Sequence, residues 1–213
     1  MKKQATATLD LPDLPMPDLP TINGTWNVVI TGVGGTGVVT IGAVLAQAAH
    51  IDGKGAGMME MAGLAQKGGA VHIHCRLAEA PDDLVVSAGA KTLGLAATGR
   101  TGAVRNSHEI ITGDFTRNTE FALPSDRLTL SVEARLQGRV DMFDASDLAR
   151  ATMGDSIFSN MMIFGAAWQR GLVPLSLDAI MQAIDLNGAA VDKNKRAFDI
   201  GRWAGLHGEE AAR

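Results

Sequence analysis

Six residues, Gly32-Val33-Gly34-Gly35-Thr36-Gly37, constrain this chain more than any other segment. They follow directly on Trp26 to Thr31 (WNVVIT), a short apolar run rich in β-branched residues, and precede Val38, Ile41, Leu45 and Ala48 at i, i+3, i+7 and i+10. The run predicts a strand and the spacing predicts a helix with one face laid on a sheet. Strand, glycine turn and helix in that order open an α/β layered domain. Gly32, Gly34 and Gly37 satisfy GxGxxG, and backbone amides at a helix N-terminus with no side chains in the way can approach a phosphate. The same glycines have a plainer use, letting strand and helix pack closely with no ligand at all. A dinucleotide-binding unit also wants an acidic residue about 20 positions on or at the end of the second strand. Asp52 and Glu60 stand in range.

Beyond the turn the pattern stays α/β. A second strand is expected across Gly57 to Met61, after the turn Asp52-Gly53-Lys54-Gly55. Ala70 to Leu77 alternates, with Val71, Ile73, Cys75 and Leu77 on one face and His72, His74 and Arg76 on the other, as a half-buried strand does. Weaker strand signals lie at Leu84 to Ser87, Glu109 to Thr112, Leu128 to Val132 and Val140 to Phe143, with a poor helix in the glycine-spaced stretch Gly89 to Gly102. Ser156 to Arg170 predicts a helix burying Ile157, Met161, Phe164 and Trp168. Ser176 is a candidate N-cap with Asp178 near the helix start, and Asn187-Gly188 a stop. A last helix, Ala190 to Trp203, turns Val191, Ala197, Phe198 and Gly201 inward. Together these predict a three-layer Rossmann-like domain with a mainly parallel sheet and C-terminal helices.

Composition narrows the partners. The 213 residues carry a net charge of −4 with both signs scattered, which excludes a basic footprint for nucleic acid or anionic membrane. No apolar run approaches a membrane span, and the N-terminus has no signal-peptide core, so a cytoplasmic location is expected. Cys75 is the single cysteine, which excludes an internal disulfide and a self-contained iron–sulfur cluster.

Residues 1–24 carry three Asp-Leu-Pro triplets, at Asp10, Asp13 and Asp18, and proline at this density favours an extended strip. The strip is either an arm or linker, or a free tail. The expected organisation is this arm, an α/β domain over 25–206, and a tail over 207–213.

Other segments leave alternatives open. Ala65-Gln66-Lys67-Gly68-Gly69-Ala70 sets a glycine pair just before a strand, and is either an anion-contacting loop or an ordinary turn with a solvated lysine. His72 and His74 share a strand face as metal ligands or as polar-face residues. Met58, Met59 and Met61, and the pair Met161 and Met162, are an adaptable contact surface or core filler. Asn160 and Asn194 fall within predicted helices, where asparagine is unfavourable, so each is expected to make a tertiary hydrogen bond or an interface contact. No self-contained catalytic constellation is visible, and no Gly-x-Ser-x-Gly occurs.

GVGGTGVVTIGAVLAQAA, then GLAQKGGAV, then MGDSIFSNMMIFGAAWQRGLVPL and VDKNKRAFDIG, in this order over residues 25–204, resemble the gamma domain of pyruvate/ketoacid:ferredoxin oxidoreductases. The variant GVGGTG with Ala-Gln-Lys-Gly-Gly most resembles the indolepyruvate branch. The resemblance implies oxidative decarboxylation of indolepyruvate or another aryl pyruvate on thiamine diphosphate. Electrons would pass through iron–sulfur clusters to ferredoxin, and the acyl group to coenzyme A. The thiamine diphosphate signature, Gly-Asp-Gly with Asn-Asn downstream, is missing: Gly113-Asp114 is followed by Phe115 and Gly154-Asp155 by Ser156. Thiamine diphosphate and the clusters therefore belong to a partner chain or upstream domains, and this chain alone is expected to hold no cofactor and to be inactive. The resemblance marks Gly32, Gly34, Gly35, Thr36 and Gly37, the loop Gln66, Lys67, Gly68 and Gly69, and Asn160 as ligand-facing or interface residues, none as a general acid or base. The competing expectations are a nicotinamide-dependent dehydrogenase and a non-catalytic interaction module of the same fold.

Overall fold

A computed structural model describes residues 9–62, 70–83, 100–108 and 125–208. The loop Gln66 to Gly69, the strands expected at 84–87 and 109–112, and most of the stretch 89–102 lie outside them. In chain order the elements are β1 (Thr25–Val33), α1 (Val38–Ile51), β2 (Gly55–Ala62), β3 (Ala70–Ala78), β4 (Ala103–Asn106), α2 (Ser125–Leu136), β5 (Val140–Phe143), α3 (Ala145–Met153), α4 (Ser159–Gln169), α5 (Leu177–Asn187) and α6 (Val191–His207).

The α/β layering expected from the sequence is present, with its strands distributed differently. β1, β3 and β2 form a three-stranded sheet in that order. β3 runs antiparallel to both neighbours, pairing Gly32 with Val71 on one side and Glu60 with Ile73 on the other. β1 and β2 therefore run the same way, as a strand–helix–strand crossover through α1 requires, but β3 sits between them. Parallel pairing is confined, among the described residues, to β4 and β5, with Ala103 opposite Val140 and Asn106 opposite Phe143.

Local chemistry explains most elements. Val71, Ile73, Cys75 and Leu77 are buried on one face of β3, and α1 lies on that face with Val38, Ile41, Val44, Leu45, Ala48 and Ala49 buried. A Cβ on Gly42 would stand 2.9 Å from Ile73 Cδ1 and 3.1 Å from Met58 Sδ, so glycine permits this close approach. α5 packs on the other side of α1, capped at its start by Ser176, whose hydroxyl accepts from Ala179 N, and ended by Gly188 at φ 70°. α4 and α6 interlock through Gly165, Gly201 and Gly205. A Cβ on Gly165 would strike the Phe198 carbonyl and one on Gly201 the Met162 carbonyl. Phe164 and Trp168 meet Phe198 with ring centroids 5.4 and 5.9 Å apart.

Several expectations need correction. Leu128 to Val132 belongs to α2, not to a strand, and Leu130 and Val132 of its alternating apolar set face solvent. Ile157 is exposed because Ser156–Phe158 is a short 3-10 turn and α4 starts only at Ser159, while Met161, Phe164 and Trp168 are buried as expected. Val191 is only half-buried at the first turn of α6. Met161 and Met162 are core residues.

The arm is seated. Leu9 and Leu11 pack against the hydrophobic core, and Ile22 is buried in it. No helix among the described residues is long and apolar enough to cross a membrane.

Candidate functional site

The glycine turn joins the end of β1 to α1, and its conformation depends on glycine at two positions. Gly35 has φ 84° and Gly37 φ 94°, values that side-chain-bearing residues avoid. At Gly32 the constraint is space, because a Cβ there would stand 2.5 Å from Val38 Cγ2. Thr36 closes the loop: its amide donates to the Val33 carbonyl at 3.3 Å and its hydroxyl to the same oxygen at 2.7 Å.

α1 then begins without the groups that usually complete a helix start. Gly37 is its N-cap, the helix start has no side-chain cap hydrogen bond among the described residues, and the first turn has no acidic residue. By contrast Asp144 caps α3 and Ser176 caps α5 through side-chain oxygens. Uncapped amides together with the positive end of the helix dipole favour an anion at this position. Around Gly35, no described residue lies within 4 Å of where a Cβ would be, and Gly35 itself is exposed. A ligand can therefore reach the backbone of the turn.

Asn160 comes to the turn from the first residues of α4. Its Nδ2 donates to the Thr36 carbonyl at 2.6 Å and stands 3.7 Å from the Cβ position of Gly37. The tertiary hydrogen bond expected of this helical asparagine is this one, and it clamps the turn. The structure thus brings together Gly32, Gly34, Gly35, Thr36, Gly37 and Asn160. Gln66, Lys67, Gly68 and Gly69 lie outside the described residues. Asn194 instead makes a local contact, donating to the Ala189 carbonyl at 2.7 Å ahead of α6.

The acidic positions needed for a dinucleotide site are poorly placed. Asp52 ends α1 and gives both carboxylate oxygens to Ser176, at 2.7 Å from the amide and 2.6 Å from the hydroxyl. Glu60 is on β2, which β3 separates from β1. That is two strand spacings, roughly 10 Å, from the strand that feeds the turn.

Other candidate groups resolve into structural roles. His74 Nε2 lies 3.0 Å from Asn27 Oδ1, and its pKa is lowered by burial and by nearby Arg76. Burial, reinforced by Glu60, pushes the Cys75 thiol up to about 12, so it is neither a thiolate ligand nor a nucleophile at neutral pH. Sequence reasoning missed His108, Asp144 and Asp147, whose ligating atoms lie within 4.8 Å of one another. Each already has a protein partner: His108 Nδ1 lies 3.3 Å from Asp144, Asp144 accepts from Asp147 N at 2.7 Å, and Asp147 pairs with Arg150. The group caps α3, a role that the spacing Asp144-x-x-Asp147 before a helix could have signalled.

Residues 27–204 match the family described as pyruvate ferredoxin/flavodoxin oxidoreductase. The chain is similar to the indolepyruvate oxidoreductase subunit IorB of Archaeoglobus fulgidus, at 25% identity over 87% of this chain and 98% of that protein. The IorB subunit of Pyrococcus horikoshii is 28% identical over 83% of this chain and 94% of its own. Among solved structures, the keto/oxoacid ferredoxin oxidoreductase gamma subunit of Geobacter sulfurreducens has a TM-score of 0.56 at 19% identity, covering 85% of this chain and 99% of that one. The 2-oxoglutarate:ferredoxin oxidoreductase of Magnetococcus marinus, with 2-oxoglutarate, coenzyme A and succinyl-CoA bound, has a TM-score of 0.64 at 16% identity, covering 90% of this chain and 32% of that one. The glycine turn and its asparagine clamp fall within residues 27–204, and the chain belongs to the pyruvate ferredoxin/flavodoxin oxidoreductase family.

Proposed function

We propose that this chain is the gamma-type component of a thiamine diphosphate-dependent 2-oxoacid:ferredoxin oxidoreductase that converts indolepyruvate or another aryl pyruvate to its acyl-CoA. One observation carries the reading: an uncapped helix start built from glycines and clamped by Asn160, in a chain matched to this family over residues 27–204. The two IorB relatives support the aryl substrate.

In this reading the chain binds phosphate and leaves electron transfer to others. A single buried thiol pushed up to about 12 fits no iron–sulfur cluster, and the motif that holds thiamine diphosphate is absent from the sequence. Both groups are held by a partner subunit or upstream domains, which pass electrons to ferredoxin, in the cytoplasm. The amides of Gly35, Gly37 and Val38 present donors to a phosphate of coenzyme A, with the Gln66-Lys67-Gly68-Gly69 loop adding an ammonium and an amide. Asn160 positions the turn through the Thr36 carbonyl. A nicotinamide dinucleotide is a poorer fit, because Asp52 is engaged by Ser176 and Glu60 stands on a distant strand.

The test is to express the tagged chain in its source cell without oxygen and identify what it retains. Recovery of a thiamine diphosphate and iron–sulfur partner, with dye reduction that needs both indolepyruvate and coenzyme A, is the expected result. Recovery of the chain alone, with its melting temperature raised by NAD or NADP, would replace the reading with a dehydrogenase. A partner without activity would leave an interaction module.

A further inference from the structure

The Asp-Leu-Pro arm precedes the family match, which begins at residue 27, so its seating asks for an explanation of its own. Exposure along it has a period of three: Leu11, Leu14, Pro17 and Pro20 are half-buried, while Asp10, Asp13, Met16 and Leu19 are exposed. Three residues per turn is the period of polyproline II, which has no internal hydrogen bonds and leaves its carbonyls available to others.

The helices opposite meet those carbonyls with side-chain donors. Arg196 Nη2 donates to the Leu9 carbonyl at 3.0 Å, and Gln169 Nε2 to the Pro15 carbonyl at 2.8 Å. Arg202 Nη2 lies 3.4 Å from both the Leu14 and the Pro15 carbonyls. Arg202 is only 6% exposed, and the face holds it rigidly: Gln169 Oε1 accepts from its Nε at 2.9 Å, Asp199 Oδ1 from its Nη1 at 3.2 Å, and its guanidinium lies 5.0 Å from the Trp168 ring centre. A buried guanidinium needs all its donors satisfied, and the arm supplies acceptors for the donors the helices leave over. Recognition through main-chain carbonyls and a threefold apolar stripe is how extended proline-rich ligands are read.

We propose that the α4–α6 face, centred on Gln169 and Arg202, is a reversible receptor for extended peptides with Leu or Pro at every third residue, and that residues 9–20 are its resident ligand. The site reads a backbone conformation and a spacing, and Asp10 and Asp13 on the outer side keep the strip solvated. This is independent of the coenzyme A reading.

The experiment uses the full chain with a protease recognition sequence inserted after Gly24, an exposed position with no described residue within 4 Å of its Cβ position. A dye on a Gln4→Cys variant marks the arm, since the buried thiol of Cys75 does not compete for labelling. After cutting, anisotropy of the labelled arm should stay at the uncut value at high protein concentration, fall on dilution, and fall when excess unlabelled peptide of residues 8–24 is added. Leu11→Ser with Leu14→Ser, confined to the arm, should weaken retention roughly tenfold or more through lost apolar burial. Arg202→Met should do the same, with circular dichroism checking the body. Release of the arm at every concentration from a folded body, retention that peptide cannot displace, or unchanged retention of the doubly substituted arm would each overturn the proposal.

Discussion

Replacing Asn160 by alanine removes, among the described residues, one hydrogen bond, that from Nδ2 to the Thr36 carbonyl at 2.6 Å. Little else should change, because the carboxamide reaches away from α4, whose core contacts are made by Met161, Met162, Phe164 and Trp168. A neutral hydrogen bond of this kind contributes about 0.5–1.5 kcal/mol net. If that bond holds the turn in its anion-receiving shape, the loss reappears in coenzyme A affinity as roughly a twofold to tenfold rise in KM, with kcat little altered. Asn160→Asp should be worse, since a carboxylate cannot donate to the Thr36 carbonyl and sets negative charge beside the site. The assay is indolepyruvate-dependent dye reduction by the assembled complex against coenzyme A concentration, with urea unfolding of each variant as the stability control. Refutation would be a coenzyme A KM unchanged in both variants, or a drop in kcat alone. The first would make Asn160 a purely structural residue and the second would give it a part in the chemistry.

Three further outcomes follow. Gly35→Val should cost about 1–2 kcal/mol of stability from the left-handed backbone and also put a side chain in the way of the proposed phosphate, so full coenzyme A affinity in the assembled complex would contradict the proposed site. Gly201→Ala drives a methyl group into the Met162 carbonyl and should destabilise by about 1–3 kcal/mol in chemical denaturation, whereas Gly188→Ala, with no described residue within 4 Å of its Cβ position, should show only backbone strain. Cys75 has its folded pKa raised from 9.0 to about 12, so its contribution to stability is complete below pH 9 and is lost as pH rises towards 12. Urea midpoints at pH 8 and pH 10 should reveal that fall, and Cys75→Ala should remove that part of it.

What was legible in the sequence was mostly local. The β1–turn–α1 unit, the alternation of β3, the Ser176 cap and the Gly188 stop are each written in a few neighbouring residues, and each is present in the fold. Asn160 could be suspected because a helical asparagine asks for a partner, but its partner, 124 residues away, could not be named. Sheet order was illegible for a similar reason, since the insertion of β3 between β1 and β2 is a choice among non-local pairings that look alike in sequence. Leu130 and Val132 misled because alternation alone does not say which residues are buried, and both are exposed on α2. The four-residue β4 is too short to produce a period. Arg202 left a signal that went unread: a guanidinium between Gly201 and Gly205 on the buried stripe of α6 demands acceptors, and the carbonyls of a strip with leucine or proline every three residues supply them.

The most direct test of the central claim is complementation. A thiamine diphosphate and iron–sulfur partner preparation lacking this chain is titrated with the purified chain while ferredoxin reduction by indolepyruvate and coenzyme A is followed without oxygen. A rate that rises from background and saturates when chain and partner are equimolar is the predicted result. A rate indifferent to the chain would contradict the account.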